Sequence, residues 1–192
     1  MKKTKERSGN TKKTKTTSKK WWEATKADPK KLEAWLKAQY HGEMTAALRI
    51  QEIWLTLPPY TRMSKTLQKI YMQEWKHGNW IAMLLKARGL DAALIEGKKE
   101  RYWKKTLPKN YLDMSFKKLM AVGAHAEKMR LERIKVIAND KTAPQDVREV
   151  FKNILPDERF HERTFRRWAG ISEYISALKN HQKGKNALGL IA

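Results

Sequence analysis

Two short segments of the chain carry a carboxylate and an imidazole at the same spacing, Glu74 with His77 and Glu158 with His161. Each residue of a helix turns the chain by about 100°, so positions i and i+3 share a face and each pair aims at one point. The second pair follows the first by 84 residues, and the register extends upstream. Glu43 stands 31 residues before Glu74, and Glu127 stands 31 before Glu158. His41 and His125, and Arg49-Ile50 and Arg133-Ile134, repeat at the same 84-residue offset. Repetition of this kind points to two helical hairpins built on one plan. Together the hairpins contribute four Glu and two His, oxygen and nitrogen donors that suit iron or manganese. Such a set is found in carboxylate-bridged two-metal sites of four-helix bundles. Two divalent ions would balance the four carboxylates and leave both imidazoles neutral, which burial of so many acids requires.

The elements that must hold these groups are long helices. Asp28-Pro29 reads as an N-cap followed by proline at the first helical position. A helix from about Pro29 to Thr56 follows, with apolar residues at three- and four-residue steps, and Pro58-Pro59 ends it. A second helix runs from about Thr61 to Arg88, with Gly89 as its C-cap. A third runs from about Met114 to Ala138. A fourth runs from the Thr142–Gln145 cap to Trp168, with Pro156 inside it and Gly170 closing it. The midpoints of the two Glu–Glu spacings fall at Pro58-Pro59 and Thr142-Ala143, so each Glu faces the Glu-x-x-His of its own hairpin. Residues 89–114 form a long crossover, with a helical stretch near Asp91 to Arg101. A short helix follows from Ser172 to about Lys179, and the last residues are expected to be loose. The expected domains are a disordered basic tail (1–20), the di-metal bundle (21–170) and a C-terminal helix and tail (171–192).

On these motifs the chain resembles the ferritin-like di-iron carboxylate superfamily of ferritins, rubrerythrins and ribonucleotide-reductase small subunits, over about residues 30 to 168. The resemblance implies an all-α, ferritin-like four-helix bundle of two hairpins joined by a long crossover. It implies a metal set of Glu43, Glu74, His77, Glu127, Glu158 and His161 holding two iron ions, or alternatively two manganese ions or a mixed Mn/Fe pair. The activity implied is that of an oxidoreductase reacting with O2 or peroxide, of ferroxidase or oxygenase type; a dimanganese catalase is a variant of the same reading.

Around the ligands, Tyr40 and Tyr71 each precede a Glu by three residues and could reach the site, core packing being their other role. Their counterparts in the second repeat are Ala124 and Leu155. Arg130 follows Glu127 by three and could pair with a ligand carboxylate, hold an anionic substrate or face solvent. Glu132 competes with Glu127, which alone keeps the 84-residue register, and Glu162 is a further carboxylate near Glu158. His41 and His125 are turned about 200° from the ligand Glu on their helices and should face away from the metals, at the surface or between helices.

Composition sets the remaining bounds. The 192 residues include no Cys, which excludes disulfides, thiolate catalysis, iron–sulfur ligation and a rubredoxin-like electron relay. No apolar run approaches membrane-spanning length, and a cytoplasmic location is expected. The net charge is +22, of which +8 falls in the first 20 residues and +14 in the rest. That field favours polyanions. The alternative function is therefore a nucleic-acid- or polyanion-binding protein on the same scaffold, acting through residues 1–20, with a structural metal or none. The oligomeric state is left open; a dimer is compatible with the pattern.

Overall fold

The computed structural model describes residues 17–97 and 101–190. Most of the expected basic tail lies outside these residues. Its last part does not remain irregular, because α1 (Ser18–Lys26) already begins there, with Thr17 as its cap. The reason is the pair of indoles that follows. Trp22 is fully buried and donates from Nε1 to Asp140 Oδ2 at 2.8 Å, while Trp21, Trp22 and Trp35 pack ring to ring at 5.5–6.1 Å.

Asp28 caps α2 (Pro29–Leu55), accepting from the N–H groups of Lys30 at 3.1 Å and Lys31 at 3.3 Å. Pro58-Pro59 ends that helix as expected. Thr61 then caps α3 (Arg62–Lys86), accepting from Ser64 N–H at 3.1 Å. The second hairpin is α5 (Phe116–Asn139) and α6 (Gln145–Ser176), turned by Asp140, whose Oδ1 accepts from the Thr142 N–H at 2.9 Å. The hairpins pack α2 on α3 and α5 on α6, and meet along α3 and α6. The described residues hold seven helices and no strand, an all-α ferritin-like bundle.

Two stretches differ from the sequence expectation. Residues 91–97 are not helical, because the Ile95 N–H is drawn to His41 Nδ1 at 3.1 Å, which holds the crossover as a strap across α2. The crossover's helix is instead the short α4 (Trp103–Thr106), followed by a 3-10 turn at Tyr111–Asp113. The fourth bundle helix closes at Gly170, as expected: its φ of 73° is non-helical and suits a residue without a side chain, and a short helical stretch then runs to Ser176. The C-terminal residues then form α7 (Leu178–Leu188), well past Lys179. Its anchors lie far away in sequence. Tyr102 Oη meets His181 Nδ1 at 2.8 Å, the Tyr102 ring packs closely on Gly184, and His125 stacks between Tyr174 at 4.0 Å and His181 at 4.6 Å.

Two apolar clusters fill the bundle ends. One holds Trp22, Leu36, Ile81, Leu85, Ile137 and Phe151; the other holds Ile50, Leu67, Ile70, Met120 and Phe165. The Glu and His positions form the layer between them. Among the described residues no helix is long and apolar enough to cross a membrane.

Candidate metal centre

All six expected ligands converge in that layer. Glu43, Glu74, Glu158, His77 and His161 are fully buried and Glu127 is 6% exposed. They form two clusters whose ligand atoms lie within 4.8 Å of one another: Glu43, Glu74, His77 and Glu158 in one, and Glu74, Glu127, Glu158 and His161 in the other. Glu74 and Glu158 belong to both. Each hairpin therefore lends its second-helix carboxylate to its partner's cluster, and neither cluster is complete within one hairpin.

The imidazoles are oriented from behind. His77 Nε2 donates to Asp157 Oδ2 at 3.2 Å, and His161 Nε2 donates to Gln73 Oε1 at 3.1 Å. Gln73 Nε2 in turn donates to Asp157 Oδ1 at 2.5 Å. With Nε2 turned to these acceptors, each ring presents Nδ1 inward. His161 Nδ1 stands 3.1 Å from Glu74 Oε1, and His77 Nδ1 stands 3.5 Å from Glu158 Oε1. The sequence reading missed Gln73 and Asp157. The signal was present, because they are themselves one 84-residue offset apart and each directly precedes a ligand Glu. It also missed Gln39, which sits one turn before Glu43 and donates to its Oε1 at 3.2 Å.

Arg130 is the largest addition. Of the alternatives open in sequence, pairing with the carboxylates is the one realised. Its guanidinium lies 3.2 Å from Glu43, Glu74 and Glu158 and 3.7 Å from Glu127, with its side chain 16% exposed. The remaining candidates lie elsewhere. Tyr71 stacks on Trp54 at 6.0 Å and meets Trp75 edge-on, and Tyr40 packs against the apolar cluster around Leu36, so both do core work. Glu132 is exposed, and Glu162 pairs with Arg166 at 3.1 Å. His41 and His125 face away from the centre, as expected, and tie down the crossover and the C-terminal helices.

Burial pushes the Glu43 carboxyl up to about 7 against the pull of Arg130, and it pushes Glu127 well above the usual carboxylate range, with the Glu158 charge adding to the rise. Burial acts the same way on Glu74 and Glu158, but Arg130 and the neighbouring imidazoles outweigh it. Glu74 falls to about 2, and Glu158 lies well below the usual range. Burial would lower His77, yet its contacts with Glu158 and Glu43 raise it to about 10. Glu74 and Glu158 are thus the carboxylates held ionised, beside the cations Arg130 and His77.

The donor set fits a metal pair. Glu43 Oε2, Glu74 Oε1, Glu127 Oε2, Glu158 Oε2 and both Nδ1 atoms are buried without a hydrogen-bond partner. Arg130 approaches two of these six inward-facing atoms, Glu43 Oε2 and Glu127 Oε2, and the rest are costly to bury unless further cations meet them. The sequence profile of the rubrerythrin family matches residues 34–169, which contain every one of these ligands. The chain belongs to the rubrerythrin family. No curated protein and no solved structure matches it. This rubrerythrin-family chain carries no cysteine, so a metal in this layer would meet oxygen and nitrogen donors.

Proposed function

We propose that the protein is a metal-dependent oxidoreductase that holds two iron or manganese ions in the Glu/His layer and reacts with O2 or peroxide, in the manner of a ferroxidase or oxygenase. The observation that carries this reading is the sharing of Glu74 and Glu158 between two four-residue clusters with inward-facing, unpartnered donor atoms. A metal pair supplies two one-electron redox couples side by side, which suits reduction of an oxygen species. The chain's own residues set the conditions. Glu74 and Glu158 would serve both ions. Glu43 with His77 and Glu127 with His161 complete one cluster each. Asp157 and Gln73 keep each imidazole in one tautomer and one orientation. Glu43 and Glu127 are the carboxyls that retain protons most readily, so they are the groups able to take up or give protons within the layer. The apolar clusters on either side exclude water.

The test is metal analysis of natively purified protein, followed by addition of Fe(II) to the metal-free protein in air. About two ions per chain are expected, with oxygen consumption and the near-ultraviolet absorption of oxidised iron. Glu74→Ala and Glu158→Ala should each abolish both signals. A protein that takes up no metal, or takes it up and leaves oxygen untouched, overturns the reading.

A further inference from the structure

Arg49 and Arg133 are paired by the 84-residue register but have no part in the metal layer. Both line a single cavity of about 300 Å³ between α2 and α5, which do not pack closely on each other. Its walls are largely apolar, with Ile50, Ile134, Met120 and Phe165 among them, and its lining also includes Glu127 and Arg130. The cavity therefore borders the metal centre. We infer that it binds a small amphipathic anion, an apolar body carrying one carboxylate-type head group, as the organic substrate of that centre. The role as substrate rests on the redox reading above; the binding itself does not.

Arg133 supplies the charge argument. It is half-buried, and among the described residues its guanidinium makes no ion pair and no hydrogen bond. Its one close partner is the Trp21 ring, 5.1 Å from Cζ. A ring face stabilises a cation but leaves its N–H edge unfilled. The neighbouring Glu132 attracts Arg133 only through space, without a contact, and burial outweighs that attraction and lowers the affinity of the guanidinium for its proton. A bound carboxylate would meet that edge with two parallel hydrogen bonds. Arg49 stands on the opposite wall with Cζ 4.5 Å over the Trp103 ring, so each repeat-related guanidinium is stacked on an indole beside the same space.

The apolar walls set the rest of the class. They disfavour a bare inorganic anion, and a volume at the small end of ligand pockets excludes a nucleic-acid strand. A short aliphatic or aromatic acid satisfies both the walls and the charge.

The probes are decanoate and decanol, titrated calorimetrically into the full chain. Decanoate should bind once per chain, at least tenfold more tightly than decanol. Arg133→Met should weaken decanoate at least tenfold and leave decanol unchanged, with Arg133→Lys recovering part of the loss. Ala46→Phe, which places bulk in the cavity from α2, should weaken both probes. Equal binding of the two probes, no binding of either, or decanoate binding indifferent to Arg133→Met and Ala46→Phe overturns the inference. That last result would place the acid on the basic exterior. The titrations are repeated with and without Fe(II). A chain that binds decanoate as described but takes up no iron sinks the redox reading and leaves the cavity assigned. A chain that takes up iron and ignores decanoate does the reverse.

Discussion

Asp157 accepts a hydrogen bond from His77 across the seam between the hairpins, Oδ2 to Nε2 at 3.2 Å. The same carboxylate receives Lys76 Nζ at 2.7 Å and Gln73 Nε2 at 2.5 Å. Asp157→Ala therefore frees His77 to rotate and to change tautomer, and should lower the affinity of the Glu43–His77 cluster about 10–100-fold. Gln73→Ala should act mainly on the cluster of His161. Anaerobic calorimetric titration with Fe(II) would resolve the two. The assignment fails if both substitutions leave the isotherm unchanged.

Arg130 reaches the same four carboxylates that metal ions would need. Arg130→Met should have opposite effects on the two forms of the protein. The metal-free form loses the cation that balances Glu74 and Glu158, and should lose about 3–5 kcal/mol of stability. The loaded form loses a competitor, so metal affinity should rise. Thermal or urea denaturation with and without metal tests both signs. A weaker metal affinity in the variant would mean that Arg130 supports the bound ions.

Metal binding should release protons. At pH 6 the metal-free layer holds them on Glu43, Glu127 and His77, whose affinities for protons are all raised. A filled site needs four ionised carboxylates and two neutral imidazoles, so the protons on Glu43, Glu127 and His77 should leave as the ions bind. Raising the pH through about 7 strips Glu43 beforehand. Metal affinity should then increase, because a competing proton is gone, and the count should fall. Calorimetry in buffers of different ionisation enthalpy measures the count directly. A count near zero at pH 6 would contradict the protonation pattern.

Trp22 fastens α1 to the α5–α6 turn through Asp140. Trp22→Ala should destabilise the protein by about 3–5 kcal/mol, the range for emptying a buried aromatic site. Trp22→Phe should recover most of the packing and lose only the indole bond. Denaturant midpoints of the two variants decide it, and a neutral Trp22→Ala would make α1 an ornament on the bundle.

The ligands could be read from the chain because each repeat carries the same donors at helical spacing, and helical period turns spacing into direction. The four long helices followed from their caps and breakers, Asp28-Pro29, Pro58-Pro59 and the Thr142–Gln145 segment. Arg130 could not be placed in the same way. Its counterpart in the first repeat is Ala46, so the register gave it no echo, and its four partners lie on four helices. The course of 91–97 and the length of α7 were hidden for a related reason. Their anchors, His41, Tyr102 and His125, lie about 50 to 80 residues away, beyond any local pattern. Gln73 and Asp157 escaped because they are unlike in type, although alike in position.

That unlikeness has a consequence of its own. The seam between α3 and α6 is the surface by which one repeat meets the other, arranged as in an isologous dimer, where a residue on the axis faces its own copy. Two aspartates at that place would set carboxylate against carboxylate. Two glutamines would bond to each other and offer neither histidine an anion. A pair of identical chains can have only one of these matched arrangements. A tandem duplication within one polypeptide escapes the restriction, because each copy can drift separately. The 2.5 Å contact between Gln73 and Asp157 is then open to a single chain that carries both repeats: a polarised bond that two identical halves, with matched residues there, would lack.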